Sequence, residues 1–262
     1  MREKGIFDLS GRVALVTAGG RGLGREFCLA MTEFGADVAC DDIRMEAAQE
    51  TVGLVKRFGH RAIAIEADVS QPDQVERMVN QTVAELGTID ILFNNAGIPN
   101  PPVRIHELSI EDWDMVMAID LRSMFLCIRA VLPVMLKQRR GCIINTASIA
   151  GIMAGAEGWS LPNAAPYGVA KAGVIALTRH TAVAYAKDGI RINAIAPGAH
   201  RTLPLGFPQE EMEKLDNKLS KFIPMGRLGR PSEIKGLAVY LASDASSYIT
   251  GQTFVEDGGF LA

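Results

Sequence analysis

Residues 12–17 form a short apolar run that breaks into Ala18-Gly19-Gly20-Arg21-Gly22-Leu23-Gly24 before a helical pattern takes over at 25–34. Few arrangements satisfy that succession. A buried strand, a turn with almost no side chains and a helix entered at its N-terminus together present backbone N–H groups at the positive end of a helix dipole. Such a turn suits a phosphate or pyrophosphate, because glycine lets the backbone approach closely and the helix supplies donors. The spacing Gly19-x-x-Gly22-x-Gly24 departs from the common Gly-x-Gly-x-x-Gly pattern. The inference therefore rests on the strand before and the helix after the turn.

The same rhythm continues. Strand-like runs at 37–40, 61–65, 89–93, 142–147, 191–195 and 252–255 alternate with helical patterns at 45–58, 72–86, 111–138, 164–187 and 231–243. Alternation at this spacing predicts an α/β doubly wound (Rossmann-like) parallel sheet of about seven strands, with right-handed crossovers and helices on both faces. The long helix at 111–138 is expected to bend at Pro133. Met115, Met117, Met124 and Met135 along it read as core filler rather than a cofactor box. A length of 262 residues, 48% of them hydrophobic, is enough for one domain with a large core over 1–262.

Charge and composition exclude several classes. The net charge is −3, from 27 basic and 30 acidic residues, and no basic block stands out, so neither nucleic acid nor an anionic membrane is an expected partner. The N-terminal residues lead into no apolar segment, and no run of eighteen apolar residues occurs, so neither a secretory leader nor a membrane span is expected. Cys28, Cys40, Cys127 and Cys142 lie far apart in apolar settings and read as reduced core thiols of a cytoplasmic protein. His60, His106, His180 and His200 make no ligand pattern, so no metal is expected.

In parallel sheets of this kind, ligands sit beyond the strand C-termini. The turn glycines, Asp42, Asp68 and Asn94 all fall at or just past predicted strand ends. Asp42 stands twenty residues after Gly22, where an acid accepts hydrogen bonds from a ribose diol and repels a 2′-phosphate. That favours NAD over NADP. Arg21 pulls the other way, since a cation in the turn can meet a 2′-phosphate, but a carboxylate at the ribose is harder to reconcile with a phosphate.

Tyr167 and Lys171 lie four apart in a small-residue helical stretch, so both project from one face, and Pro166 fits only in that helix's first turn. A free phenol titrates near ~10, too high for a base at neutral pH. A neighbouring ammonium favours the phenolate. Tyr-x-x-x-Lys is thus a candidate general acid/base with its own tuning charge, although the spacing alone is common.

Taken in order, these pieces resemble the short-chain dehydrogenase/reductase family along nearly the whole chain. The matching residues are Thr17-Ala18-Gly19-Gly20-Arg21-Gly22-Leu23-Gly24, Asp68-Val69, Asn94-Asn95-Ala96-Gly97, Ser148, Tyr167-x-x-x-Lys171, Asn193 with Pro197-Gly198, and Gly226-Arg227-Leu228-Gly229-Arg230-Pro231. The resemblance implies roles. Tyr167 would be the acid/base, Lys171 would hold the nicotinamide ribose and tune it, and Ser148 would orient the substrate oxygen. Asp68 and Val69 would flank the adenine, Asn94 the adenosine side, and the Ile195 backbone and Thr202 the carboxamide. It also implies a homotetramer or homodimer packed through the helices at 111–138 and 164–187.

Three departures from the family stand out. Ala18 replaces the first glycine of the turn, where a methyl is tolerated if that residue keeps negative φ. Asp120 replaces the asparagine that is the fourth catalytic residue; an ionised aspartate offers only acceptors where asparagine offers a donor as well. Ser148 and Tyr167 are nineteen residues apart, longer than the family's spacing, with the extra residues at 156–163. These, with Trp159 as a wall, are expected to shape a substrate pocket completed by 98–105 and 203–222. Their apolar and proline-rich composition favours an apolar substrate, while Arg104, His200 and Arg201 could instead meet an acidic group.

The expectation is an NAD-dependent enzyme that passes hydride between nicotinamide and a secondary alcohol or ketone. An NADPH-dependent reductase of 3-oxoacyl thioesters is the alternative that Arg21 favours. A non-catalytic dinucleotide-binding sensor or scaffold is favoured only by Asp120 and Ala18.

Overall fold

The structure is a computed structural model that describes residues 5–99, 103–154, 165–202 and 209–262. Seven strands form one sheet in the order β3-β2-β1-β4-β5-β6-β7. They are β1 (Val13–Val16), β2 (Asp37–Asp42), β3 (Ala62–Glu66), β4 (Ile91–Asn94), β5 (Gly141–Thr146), β6 (Ile190–Pro197) and β7 (Thr253–Glu256), and every pairing is parallel. Among the described residues the helices are α1 (Gly22–Glu33), α2 (Met45–Lys56), α3 (Pro72–Leu86), α4 (Ile110–Met117), α5 (Ser123–Gln138), α6 (Ala165–Tyr185), α7 (Gln209–Leu219) and α8 (Lys235–Ala242).

Strands covered on both sides must be apolar at every position, and all four residues of β1 are buried. Ala14 and Val16 face the core layer that contains Phe27 and Met31 of α1, Val55 of α2 and Leu241 of α8. Val13 and Leu15 face the opposite layer, with Val75 and Met78 of α3 and Leu126 and Val131 of α5. Phe27 stacks on Phe93 of β4 with ring centroids 4.6 Å apart, which fastens α1 to the sheet centre. Local chemistry sets the helix ends. Pro72 opens α3, and Gly87, at φ 96°, closes it with its N–H donated to the Val83 carbonyl. Ser109 caps α4 by accepting from the Asp112 N–H at 3.0 Å.

The helical stretch 111–138 is not one element bent at Pro133. Regular α-helix runs through Pro133, whose ring is on the exposed side of α5, where water can serve the carbonyl it leaves free. The break falls earlier, in a π-helical turn over Ala118–Arg122 between α4 and α5. This turn carries Asp120, which is fully buried. A widened turn re-aims side chains relative to an unbroken helix, and here it directs Asp120 inward.

Candidate active site

Because all strands run one way, their C-terminal ends share an edge. The order reverses between β1 and β4, which opens a crevice there. The β1–α1 turn lies on it. The condition of negative φ is not met at Ala18, whose φ of 49° lies in the left-handed region that disfavours a Cβ. Neighbouring groups impose this conformation. The Asn95 side-chain amide donates to the carbonyls of Thr17 and Ala18 at 3.2 and 3.3 Å. The Thr17 hydroxyl oxygen accepts from the N–H groups of Asn95 and Ala96 at 2.9 and 3.2 Å. Sequence reasoning gave Thr17 and Asn95 no role, although both stood within the quoted motifs.

The glycines serve close approach. A Cβ on Gly24 would lie 2.0 Å from the Ala18 carbonyl oxygen, and one on Gly20 would lie 2.6 Å from Asp42 Oδ2. Arg21 is exposed and Leu23 packs at the edge of the core. Arg21, the N-cap of α1, makes no side-chain cap, and no acid stands in the first turn. The helix start thus keeps donors for an external anion, and the cradle fits a dinucleotide pyrophosphate.

Asp42 ends β2 with its carboxylate turned into this cradle. Oδ2 accepts from the Gly20 N–H and Oδ1 from the Arg44 N–H, each at 3.1 Å. Two oxygens still have lone pairs for hydroxyl donors. Asp41 points to the opposite face. Burial holds its carboxyl well above the usual carboxylate range, the Asp42 charge adds to this, and the N–H groups of Ala18 and Ala67 oppose it. Past β3, Asp68 Oδ1 accepts from the Ser70 N–H at 2.9 Å, and Val69 is buried beside it. Asn94 is at the β4 end, but its side chain turns inward, donating to Asn145 Oδ1 at 3.0 Å and to the Met124 carbonyl at 3.2 Å. Only its backbone faces the crevice edge.

Ser148, the α6 pair Tyr167 and Lys171, and Asp120 come from three separate places and meet. Ser148 follows β5, and its Oγ accepts from the Ala150 N–H at 3.1 Å. The tight turn after it, Ile149–Gly151, presses against the start of α6. A Cβ on Gly151 would lie 2.6 Å from the Lys171 backbone, and one on Gly168 would lie 3.1 Å from the Ala150 carbonyl. That contact sets Ser148 beside the first turns of α6, where Tyr167 is half-buried. Lys171 Nζ stands 5.5 Å from the Tyr167 ring centroid and donates to the Thr146 carbonyl at 3.1 Å.

Asp120 Oδ1 lies 3.2 Å from Lys171 Nζ, and Oδ2 accepts from the Ile98 N–H at 3.0 Å. Both side chains are essentially removed from water. Burial raises the Asp120 carboxyl above the ordinary carboxylate range, while Lys171 and the Ile98 N–H act against that shift. Gly97 closes the pair in, for a Cβ there would lie 2.6 Å from Asp120 Oδ1 and 3.3 Å from Lys171 Nζ.

Other expectations change. The Ile195 carbonyl accepts from the Ala147 N–H at 2.7 Å within the sheet, which leaves one lone pair of that oxygen for a carboxamide. Thr202 is exposed, and its Cβ would lie 3.6 Å from a Cβ placed on Gly22, across the crevice from the turn. His200 does not await an acidic ligand: its ring is buried against Gly229 and Glu256. Arg201 is paired with Asp216, whereas Arg104 is exposed. The whole 156–163 insertion, Trp159 included, lies outside the described residues, as do 100–102 and 203–208. The four cysteines are buried free thiols. Among the described residues there is no cluster of metal-ligating side chains and no helix long and apolar enough to cross a membrane.

Comparison with known proteins covers nearly the whole chain. A family model described as enoyl-(acyl carrier protein) reductase matches residues 17–261. A 2,5-dichloro-2,5-cyclohexadiene-1,4-diol dehydrogenase of Sphingobium indicum is 38% identical over 256 residues, 97% of this chain and 99% of the relative. A 3-oxoacyl-(acyl-carrier-protein) reductase of Synechocystis is also 38% identical over 256 residues, covering 97% and 98%. A short-chain type dehydrogenase/reductase from Mycobacterium marinum has the same fold, with TM-score 0.89 and 37% identity over 97% of each chain.

Proposed function

The chain belongs to the short-chain dehydrogenase/reductase family, oxidoreductases that use a nicotinamide dinucleotide, and on that premise we propose that it interconverts a secondary alcohol and a ketone with NAD(H). The observation that carries the proposal is the convergence of Ser148, Tyr167 and Lys171 at the crevice edge, with Lys171 5.5 Å from the Tyr167 ring. In the oxidative direction Tyr167 accepts the hydroxyl proton and Ser148 holds the substrate oxygen through its hydroxyl. Lys171 holds positive charge beside the phenolate and meets the nicotinamide ribose. Asp120 keeps Lys171 in place. The bound dinucleotide supplies the hydride acceptor or donor. The α1 turn from Gly19 to Gly24, with Asp42, Asp68, Val69 and Thr202, would hold it.

The preference for NAD rests on Asp42, whose buried carboxylate at the β2 end would oppose a 2′-phosphate. Ile152 and Ile105, exposed near the Ser148 turn and in the 98–105 loop, favour an apolar substrate. The Sphingobium relative acts on a cyclic diol, which agrees with that leaning. A second reading, NADPH-dependent reduction of 3-oxoacyl thioesters, is favoured by exposed Arg21 and by the Synechocystis relative. We also infer self-association, as a tetramer or dimer of one 1–262 domain, through α5 and α6. There Phe125 and Val183 expose 49% and 81% of their surface, apolar area that a second copy would cover.

The test follows reduced nicotinamide with cyclic, terpenoid, steroid, sugar-like and hydroxyacyl secondary alcohols, with NAD⁺ and NADP⁺ in parallel. Turnover with NAD⁺ is expected. Turnover with NADP⁺ alone would replace this reading by the reductase one. Tyr167→Phe should remove turnover and keep dinucleotide binding; a variant that still turns over would refute the role of the phenol.

A further inference from the structure

His200 and Glu256 take no part in the proton chemistry above, yet they form an ion pair inside the rim of the site. His200 belongs to the loop that leaves β6 and leads to Thr202; Glu256 is the last residue of β7. The His200 side chain is 4% exposed. Its Nδ1 is 3.1 Å from the Gly198 carbonyl oxygen, and its Nε2 is 3.6 Å from Glu256 Oε1. His200 Nε2 and Glu256 Oε2 are both buried with no hydrogen-bond partner among the described residues, so the two side chains meet as an ion pair rather than through a hydrogen bond. A Cβ on Gly229 would lie 2.6 Å from the imidazole, so the ring fills the space that a side chain there would need.

The same loop is tied down by backbone bonds. The Arg201 N–H donates to the Gly229 carbonyl at 3.0 Å, the Gly229 N–H to Ala199 at 2.9 Å and the Gly198 N–H to Glu256 at 2.8 Å. We propose that His200 and Glu256 are a latch that positions the 198–202 loop for the dinucleotide, closed while the imidazole carries both protons. The hydrogen-bond inventory gives the reason. A ring that donates from Nδ1 to a carbonyl can also donate from Nε2 only when protonated. Once that proton leaves, the buried Nε2 turns a lone pair toward a carboxylate oxygen, and the contact turns from attraction to repulsion.

The surroundings favour the charged form. Burial works against it, but the Glu256 contact, the Gly198 carbonyl and the charges of Glu256 and Glu233 together hold His200 above the ordinary histidine value. Other charges nearby are already engaged. Glu233 is held by Arg227 at 2.7 Å and more loosely by Arg230 at 3.5 Å, Arg201 by Asp216, and Asp257 by the N–H groups of Gly259 and Leu261. A raised histidine contributes its full stabilisation below the ordinary histidine range and loses it as pH rises through the raised value. The latch is therefore closed in mild acid and opens on the alkaline side.

Two readouts test it on the whole chain, from about pH 6 to about pH 9. The first needs no cofactor: ring-proton NMR of His200 together with hydrogen-exchange protection of the Arg201 and Gly229 amides. The second is the calorimetric affinity for NAD⁺, and only this one rests on the proposed function. In the wild type, protection and affinity should both fall about tenfold as His200 deprotonates. By linkage, saturating NAD⁺ should then raise the His200 midpoint by about one pH unit. Glu256→Gln should move the transition to lower pH, and the double variant His200→Val/Glu256→Val should be flat across the range. Amide protection that ignores the His200 titration, or a Glu256→Gln profile identical to wild type, overturns the latch. Failure of the wild type to bind NAD⁺ would count against the proposed function, while amide protection still decides the latch. If Glu256→Gln does not fold, the double valine variant carries the comparison.

Discussion

Replacing Asp120 by asparagine separates the effect of a charge from that of a hydrogen bond at this position. The amide keeps the side chain's volume and its oxygen can still accept from one of Ile98 N–H and Lys171 Nζ, with its NH2 turned to the other, whereas alanine would strip both contacts and cost about 3–5 kcal/mol as for other broken buried pairs. At an effective dielectric of about 20, an ammonium 5.5 Å from the Tyr167 ring stabilises negative charge there by about 3 kcal/mol. The Asp120 carboxylate, 3.2 Å beyond Lys171 and roughly 9 Å from the ring at its farthest, opposes this by about 2 kcal/mol. Removing its charge should therefore shift the acid limb of the oxidative pH–rate profile down by about one pH unit. The assay is kcat and kcat/KM for the best alcohol across pH, with stopped-flow hydride transfer to show that chemistry limits the rate. The gain should be largest below the wild-type midpoint and vanish on the alkaline plateau. Identical profiles would refute the reasoning and mean that Asp120 is protonated or electrically remote from the phenol.

Three further outcomes follow from the geometry. Gly97→Ala forces a methyl to within 2.6 Å of Asp120 and should lower kcat about a hundredfold with a near-normal melting temperature; unchanged turnover would show that the pair has room to move. Ala18→Gly relieves a left-handed alanine worth about 1–2 kcal/mol but adds chain entropy of about 0.4–1 kcal/mol, so thermal denaturation should show a net gain of about 0–1.6 kcal/mol, and a loss would mean that the methyl is well packed. Asp42→Ala removes the carboxylate that opposes a 2′-phosphate and should shift the NAD⁺/NADP⁺ ratio of kcat/KM at least tenfold toward NADP⁺; an unaltered ratio would leave Arg21 as the discriminating residue.

What the sequence could specify was whatever depends on near neighbours. Strand and helix periods are local, so the seven parallel strands and the glycine turn were legible, and the spacing of Tyr167 and Lys171 alone places them on one helix face. Residues 72–86 form a helix with the predicted bounds, because a proline opens it and a left-handed glycine closes it, both of them local signals. What required tertiary structure was every feature built from distant partners. The φ of Ala18 is imposed by Asn95, across the sheet from it. The break before α5 falls at Asp120 rather than Pro133, because the exposed proline can be hydrated while a buried carboxylate must reach Lys171 and Ile98. His200 turns from a possible surface cation into half of a largely buried pair with Glu256. A periodic pattern tells a residue which way to face. Only packing tells it what it will find there, and a buried charge or a left-handed alanine is tolerated only when that partner is present.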